Sequence, residues 1–165
     1  MKLLIFSDVH RQKNKLLKIL QTHADADLVI SLGDTELKAS FLQTHDIIAI
    51  KGNYPFDPGQ TYEHTMTIKN KRLFFTHGHK YSVRSGIDQL FEKTKSLEVD
   101  FIFYGHTHVA AYMHVETVHI INPGAVGKSR SETPESYLIA LLKDEYTIMS
   151  WYDAQTHALL KELRI

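Results

Sequence analysis

The sequence predicts an α/β fold in which two mixed sheets pack together with helices outside them. Two observations predict it. The first half of the chain alternates short apolar runs with amphipathic stretches, a β-α-β-α-β order that implies parallel strands joined by right-handed crossovers. In the second half apolar runs succeed one another across short connections, which favour antiparallel pairing.

Lys2–Ser7, Asp27–Leu32 and Ile47–Lys51 are short apolar runs bounded by polar residues or glycine, as buried strands are. Between the first two, Leu16, Leu17, Ile19 and Leu20 place an apolar stripe on a helix over Arg11–Thr22. A weaker helical pattern covers Glu36–Gln43. Arg72–Thr76 and Asp100–Tyr104 read as strands flanking a helix over Val83–Leu97, whose Val83, Ile87, Leu90, Phe91 and Leu97 share one face. Lys69, Lys71 and Arg72 beside Asn70 have the look of a hairpin turn's exposed charges. Four more strands are expected at Ala110–Val115, Val118–Ile121, Ser136–Leu142 and Tyr146–Tyr152, with Asn122-Pro123-Gly124 as a turn.

A length of 165 residues suits one domain spanning 1–165, and 43% hydrophobic residues can supply its core. Lys plus Arg and Asp plus Glu are both 19, so no net field favours nucleic acid or an anionic membrane. The absence of cysteine removes disulfides and thiolate metal sites and fits a cytoplasmic location. The apolar start Leu3–Phe6 is too short for a signal-peptide core, and no run approaches the roughly 20 apolar residues of a membrane span. The 11 histidines are many for this length, and their positions carry the functional reading.

Five polar clusters follow apolar runs: Asp8-Val9-His10, Gly33-Asp34, Gly52-Asn53, His77-Gly78-His79 and Gly105-His106-Thr107-His108. In open α/β sheets ligands bind beyond the carboxyl ends of the strands, so these loops should converge on one edge. Carboxylate, amide and imidazole together suit divalent ions such as Mn, Fe, Co, Ni or Zn. Residues two apart in an extended segment face the same way, which lets Asp8 act with His10, and His106 with His108. Taken singly, each cluster has a plainer reading: an aspartate after a strand is commonly a helix cap, and Gly-Asn a turn. Their joint occurrence argues for a cation, because carboxylates and imidazoles are costly to gather unless something neutralises them. His23, His45, His64, His114, His119 and His157 match no cluster and read as structural or surface residues.

With D-x-H, G-D, G-N, H-G-H and G-H-T-H in order from Asp8 to His108, and Asn122-Pro123-Gly124-Ala125 beyond them, the sequence resembles the calcineurin-like metallophosphoesterases. Within that superfamily it is similar to the small YfcE-type phosphodiesterases. The resemblance implies a four-layer α/β/β/α sandwich and two divalent transition-metal ions, manganese first, with Ni, Fe, Co or Zn as alternatives. It implies one ion on Asp8, His10, Asp34 and His108, and a second on Asp34, Asn53, His77 and His106, with Asp34 bridging. It further implies phosphodiester hydrolysis by a hydroxide between the ions, with Asp34, Asn53 and His79 as catalytic candidates. The expected partner is a small phosphoester, and a homo-oligomer is compatible with the sequence.

Two positions depart from the family pattern. Tyr54 follows Asn53 where many members carry a histidine able to protonate a leaving group. Arg11 stands where glycine is common, and with His79 it is a candidate substrate contact through its planar fork. A phosphomonoesterase is the weaker enzymatic alternative, because a poor leaving group gains more from a general acid. A non-catalytic scaffold is the other, since the same fold serves as a subunit of the retromer coat.

Overall fold

A computed structural model describes residues 1–165. One sheet has six strands in the order β11-β10-β9-β1-β2-β3, and the other has five in the order β4-β5-β6-β8-β7. β1 (Lys2–Phe6), β2 (Leu28–Ser31) and β3 (Ile47–Ala49) are parallel neighbours, with α1 (Lys13–Thr22) and α2 (Ala39–Thr44) in the connections. This is the β-α-β-α-β unit read from the sequence.

In the second sheet β5 (Lys71–Thr76) and β6 (Phe101–Tyr104) are parallel, joined through a 3₁₀ turn (His79–Tyr81) and α3 (Asp88–Lys95). β6 is also parallel to β8 (Val118–Pro123), which pairs back on β7 (Ala110–Val115) as a hairpin. The chain then crosses to the first sheet, where β9 (Ser136–Leu142) and β10 (Thr147–Asp153) form a second hairpin and β9 runs antiparallel to β1. The short connections therefore gave antiparallel pairs, as expected. Two strands have no counterpart in the sequence reading: β4 (Glu63–Ile68), the other arm of the hairpin at Asn70, and β11 (Leu159–Arg164). β4 reads Glu-His-Thr-Met-Thr-Ile and β11 Leu-Leu-Lys-Glu-Leu-Arg. Both are edge strands, and their polar residues hid them from a search for apolar runs.

Alternation along the strands builds three cores. Leu3 and Ile5 of β1, Leu73 and Phe75 of β5, and Phe101 and Phe103 of β6 point between the sheets, with Leu138, Ala140 and Trp151. The opposite face of the first sheet, with Leu4, Phe6 and Tyr137, packs on Leu16, Ile19 and Leu42 of α1 and α2. The opposite face of the second, with Phe74, Ile102 and Ile120, packs on Leu90 and Phe91 of α3. The layers are thus α/β/β/α. Burial of each such large apolar side chain contributes about 1.5–3 kcal/mol, so β1 and the five-stranded sheet's centre are held from both faces. α3 is shorter than the Val83–Leu97 pattern, and Val83 instead packs beneath Gly78 in the loop after β5. No helix is long and apolar enough to cross a membrane.

His23, at the C-terminal end of α1, hydrogen-bonds the buried Tyr137 hydroxyl at 2.8 Å. Burial, reinforced by Lys2, lowers its pKa to about 4. Between that value and about 6.5 the unfolded chain takes up a proton the folded chain refuses, so stability is complete above this window and falls as pH drops through it. Urea unfolding of the metal-free protein should therefore show a lower midpoint at pH 4.5 than at pH 7. His23→Gln should shrink that difference, and an unchanged difference would refute the assignment.

Candidate metal centre

All five clusters sit in loops at one edge of the two sheets. Asp8 follows β1, Asp34 follows β2, Asn53 follows β3, His77 follows β5, and His106 and His108 follow β6. Because β1–β3 are parallel to one another, and β5 is parallel to β6, their carboxyl ends deliver these loops together. Within each sheet the loop backbones bond to one another. Asp8 N–H donates to Gly33 O at 3.1 Å, His10 N–H to Asp34 O at 3.1 Å, and Gly105 N–H to His77 O at 3.1 Å. The His106 N–H, from the other sheet, donates to Asp8 Oδ2 at 3.0 Å.

Close approach explains the glycines here. A Cβ on Gly33, whose φ is +108°, would lie 2.8 Å from Gly52 Cα and 2.9 Å from the His77 ring. A Cβ on Gly52 would overlap the Asp34 carboxylate. The ligating residues themselves are bent: Asp8, His10, Asp34, His106 and His108 all have φ between 44° and 66°. Each such left-handed residue costs on the order of 1 kcal/mol. Strain gathered on five side chains that share a pocket is the pattern of a functional site.

Two triads bring donor atoms within 4.8 Å of one another: Asp8, His10 and His108, and Asp8, Asp34 and His77. Asp8 Oδ1 lies 3.1 Å from His108 Nε2, 3.8 Å from His10 Nε2 and 4.0 Å from His77 Nε2. Asp34 Oδ2 lies 3.5 Å from His77 Nε2, while Asp34 Oδ1 accepts the Tyr54 N–H at 2.8 Å. Asn53 Oδ1 stands 3.1 Å, and His106 Nδ1 3.2 Å, from the same His77 Nε2. The structure thus brings all seven expected ligands to one place.

Partners behind the rings decide which nitrogens are free. His10 Nδ1 meets Glu36 Oε1 at 2.8 Å, His77 Nδ1 meets Leu32 O at 2.8 Å, and His108 Nδ1 meets Lys128 O at 2.7 Å. Each of these partners can only accept, so each Nδ1 carries a proton and each Nε2 is turned inward, where the neutral ring presents a lone pair. The His10 and His108 Nε2 atoms stand 3.2 Å apart. Two lone pairs at that distance repel unless a proton or a metal lies between their partners. Asp8 Oδ1, fully buried beside them, has no hydrogen-bond donor. These residues fit divalent ions.

Electrostatics agree. Burial would raise the Asp8 carboxyl, but His108, His77 and the Ser7 hydroxyl, bonded at 2.6 Å, hold it below the ordinary range. Asp34 is likewise raised by burial yet brought to about 2, chiefly by His77. Burial opposes a charge on His77, but Asp34 and Asp8 raise its pKa, whereas burial and the neighbouring His77 lower His106 to about 4. His77 can therefore hold a proton that a metal would displace, which couples metal binding to pH.

The remaining candidates sit at the rim. His79 lies 5.3 Å from the His77 ring and 6.1 Å from that of His106, with its buried Nδ1 unpartnered. Burial and then the charge of His77 lower its pKa. Arg11 is 70% exposed, bonds Glu36 Oε2 through Nε at 2.8 Å and has the Tyr54 side chain as a second neighbour. Lys128 contributes its carbonyl rather than its charge.

Supporting residues escaped sequence reasoning. Glu36 holds both His10 and Arg11. Buried Asp57 accepts the Asp34 N–H at 2.5 Å, the Gly52 N–H at 2.8 Å and the Gly59 N–H at 3.3 Å, tying two ligand loops together. Neither lies in a recognisable motif, since a carboxylate that binds backbone can come from any loop that reaches it. Asn122 is the last-but-one residue of β8 and not the turn expected there; the bend begins at Gly124, with φ +84°. Its Nδ2 donates to Gly105 O and Thr107 Oγ1, which fixes the loop carrying His106 and His108.

A model of the calcineurin-like phosphoesterase superfamily domain matches residues 1–145. The chain belongs to that superfamily. A Bacillus subtilis relative, the probable metallophosphoesterase YsnB, is 30% identical over 154 residues, covering 93% of this chain and 91% of its own. The Escherichia coli phosphodiesterase YfcE is 26% identical over 164 residues, covering 83% and 85%. Among solved structures, a predicted phosphoesterase from Streptococcus pneumoniae superposes with a TM-score of 0.87 at 21% identity, covering 99% and 97%. Entamoeba histolytica Vps29 in complex with Zn²⁺ superposes at 0.79 and 21%, covering 100% and 98%. The superfamily match and the names of these relatives support a metal-dependent phosphoester hydrolase.

Removing the carboxylate behind His10 should release that ring's tautomer and orientation. Glu36→Ala should weaken Mn²⁺ binding by about 10–100-fold, measured by calorimetric titration, with the fold retained by circular dichroism. Unaltered affinity would show that His10 is not oriented through Glu36.

Proposed function

We propose that this chain hydrolyses small phosphodiesters at two divalent transition-metal ions. The observation that carries the reading is the unpartnered Asp8 Oδ1 among the inward lone pairs of His10, His77 and His108. Asp8, His10, Asp34 and His108 would hold one ion, and Asp34, Asn53, His77 and His106 the other, with Asp34 between them. The oxygen and imidazole donors, without thiolate, favour manganese or a neighbouring first-row ion. When bound, such a pair supplies an acidified water and neutralises charge on the phosphoryl group.

The protein's own groups do the rest. Glu36, Leu32 O and Lys128 O keep the ligating rings in one tautomer, so no reorganisation is needed as charge develops. Asp57 and the Tyr54 N–H fix Asp34 from two sides. Arg11, braced by Glu36 and exposed at the rim, binds non-bridging phosphoryl oxygens through its guanidinium. His79, kept neutral near pH 7 by burial, offers its ring to the substrate at the rim. Tyr54 bonds Asp34 through its backbone N–H, and no histidine stands at this position to protonate a poor leaving group, so the site favours diesters with good leaving groups over alkyl monoesters.

The fold likeness to Vps29 supports a second reading, a scaffold without catalysis. The two donor triads, with Asn53 and His106 beside His77, favour the enzyme.

Protein stripped of metal by chelator should hydrolyse bis(p-nitrophenyl) phosphate only after Mn²⁺ is restored. Asp34→Asn should lose activity by about 10²-fold or more, as loss of a charge-stabilising group does. His114→Asn, at an exposed strand position, should leave activity within about twofold, as surface changes away from a site do. Full activity in verified metal-free protein, or equal loss in both variants, would overturn the proposal.

A further inference from the structure

The largest cavity in the molecule, about 570 Å³, is not the metal cluster but a cleft between α1 and α2. Glu36 is common to both. Its side chain lines the cleft while its two carboxylate oxygens hold His10 Nδ1 and Arg11 Nε, each at 2.8 Å. One side chain therefore separates the cleft from a ligand of the metal centre. The volume lies within the range of small-molecule sites, roughly 300–1,000 Å³.

The lining has a definite chemistry. Leu37 and the tilted ring pair Phe41 and His45, with centroids 4.3 Å apart, give it an aromatic and apolar wall. Lys13 and Lys38 stand at its edge, and neither has a carboxylate within salt-bridge distance. Lys13 instead lies over the Phe41 ring at 5.2 Å. Glu36, the one acidic residue lining the cleft, is already neutralised by Arg11. The cleft thus offers aromatic ring surface and two cations without carboxylate partners. That combination matches a ring carried on a chain with its own anionic group, and it does not match a neutral alkyl arm.

We propose that the α1–α2 cleft is the substrate's second subsite, receiving the arm of the diester that bears a planar ring and a further phosphate, as in a nucleotide. This deepens the proposed hydrolysis and rests on it for the position of the scissile phosphoryl group. In this arrangement the scissile group lies at the metal centre, Arg11 sits at the junction, and the ring lies against Phe41 and His45. Lys13 and Lys38 take the distal phosphate. Arg11 and the two lysines then form a cationic track from the metal centre into the cleft.

The test uses metal-loaded protein and two readouts. Calorimetry with thymidine 3′,5′-bisphosphate measures the subsite directly, whether or not any diester turns over. Kinetics then compare thymidine 3′-phosphate 5′-(p-nitrophenyl phosphate) with methyl p-nitrophenyl phosphate, which has the same leaving group and no arm to reach the cleft. The double variant Lys13→Ala/Lys38→Ala changes two exposed side chains, so its fold is secure. It should weaken the bisphosphate and raise KM for the nucleotide diester by about tenfold, the scale of one or two charge-assisted contacts. Its kcat/KM for the methyl diester should stay within about twofold. No bisphosphate binding by the unaltered protein, or equal binding by the variant, overturns the subsite. So does a parallel change with both diesters. Absence of turnover with every diester defeats the hydrolytic reading alone, because the calorimetric result still decides the cleft.

Discussion

The crowding of imidazole nitrogens around one buried, donorless carboxylate oxygen is the constraint on which the rest of this structure depends. Asp8 Oδ1 is fully buried and unpartnered, and three Nε2 atoms lie within 4.0 Å of it. A buried polar atom left without a hydrogen-bond donor is costly, and lone pairs facing one another add to that cost. The protein spends stability to hold them so, through left-handed backbone at five ligands and through acceptors placed behind three of the rings. A cation reverses the sign of all these interactions at once.

The sandwich makes this concentration affordable in a mechanical sense. Loops from two sheets can meet at one edge only if the sheets are fixed face to face, and the core of Phe75, Phe103, Leu3 and Ile5 fixes them. The His106 N–H reaching Asp8 Oδ2 is the direct sign of that registration, as it joins the second sheet's loop to the first sheet's carboxylate. Asn122 and Asp57 perform the same task locally, each tying ligand loops through backbone groups. Changes to these residues would act on the metal centre by moving its ligands.

How much was legible beforehand follows from how each feature is encoded. Strands β1, β2, β5 and β6 are apolar on both faces because helices cover one side and the other sheet covers the opposite one, so they stand out as continuous runs. Edge strands β4 and β11 are half-solvated, and their mixed composition carries no such signal. The seven candidate ligands stood out because glycine, histidine and aspartate recur at strand ends in a fixed order. Glu36 and Asp57 were not, because their roles lie in which backbone or ring they reach in three dimensions. Asn122 was misread as part of a turn because Asn-Pro-Gly has turn chemistry; the strand hydrogen bonds of β8 prevailed through Pro123, and the bend was left to Gly124. The α1–α2 cleft is also tertiary, assembled from residues on two short helices and the loop that carries Glu36.

The most direct measurement is anomalous diffraction from a crystal of the manganese-loaded protein, collected on both sides of the manganese edge. The account predicts two peaks about 3.5–4 Å apart, one beside Asp8, His10 and His108 and the other beside Asn53, His77 and His106, with Asp34 between them. A single peak, or peaks remote from Asp8, would contradict it.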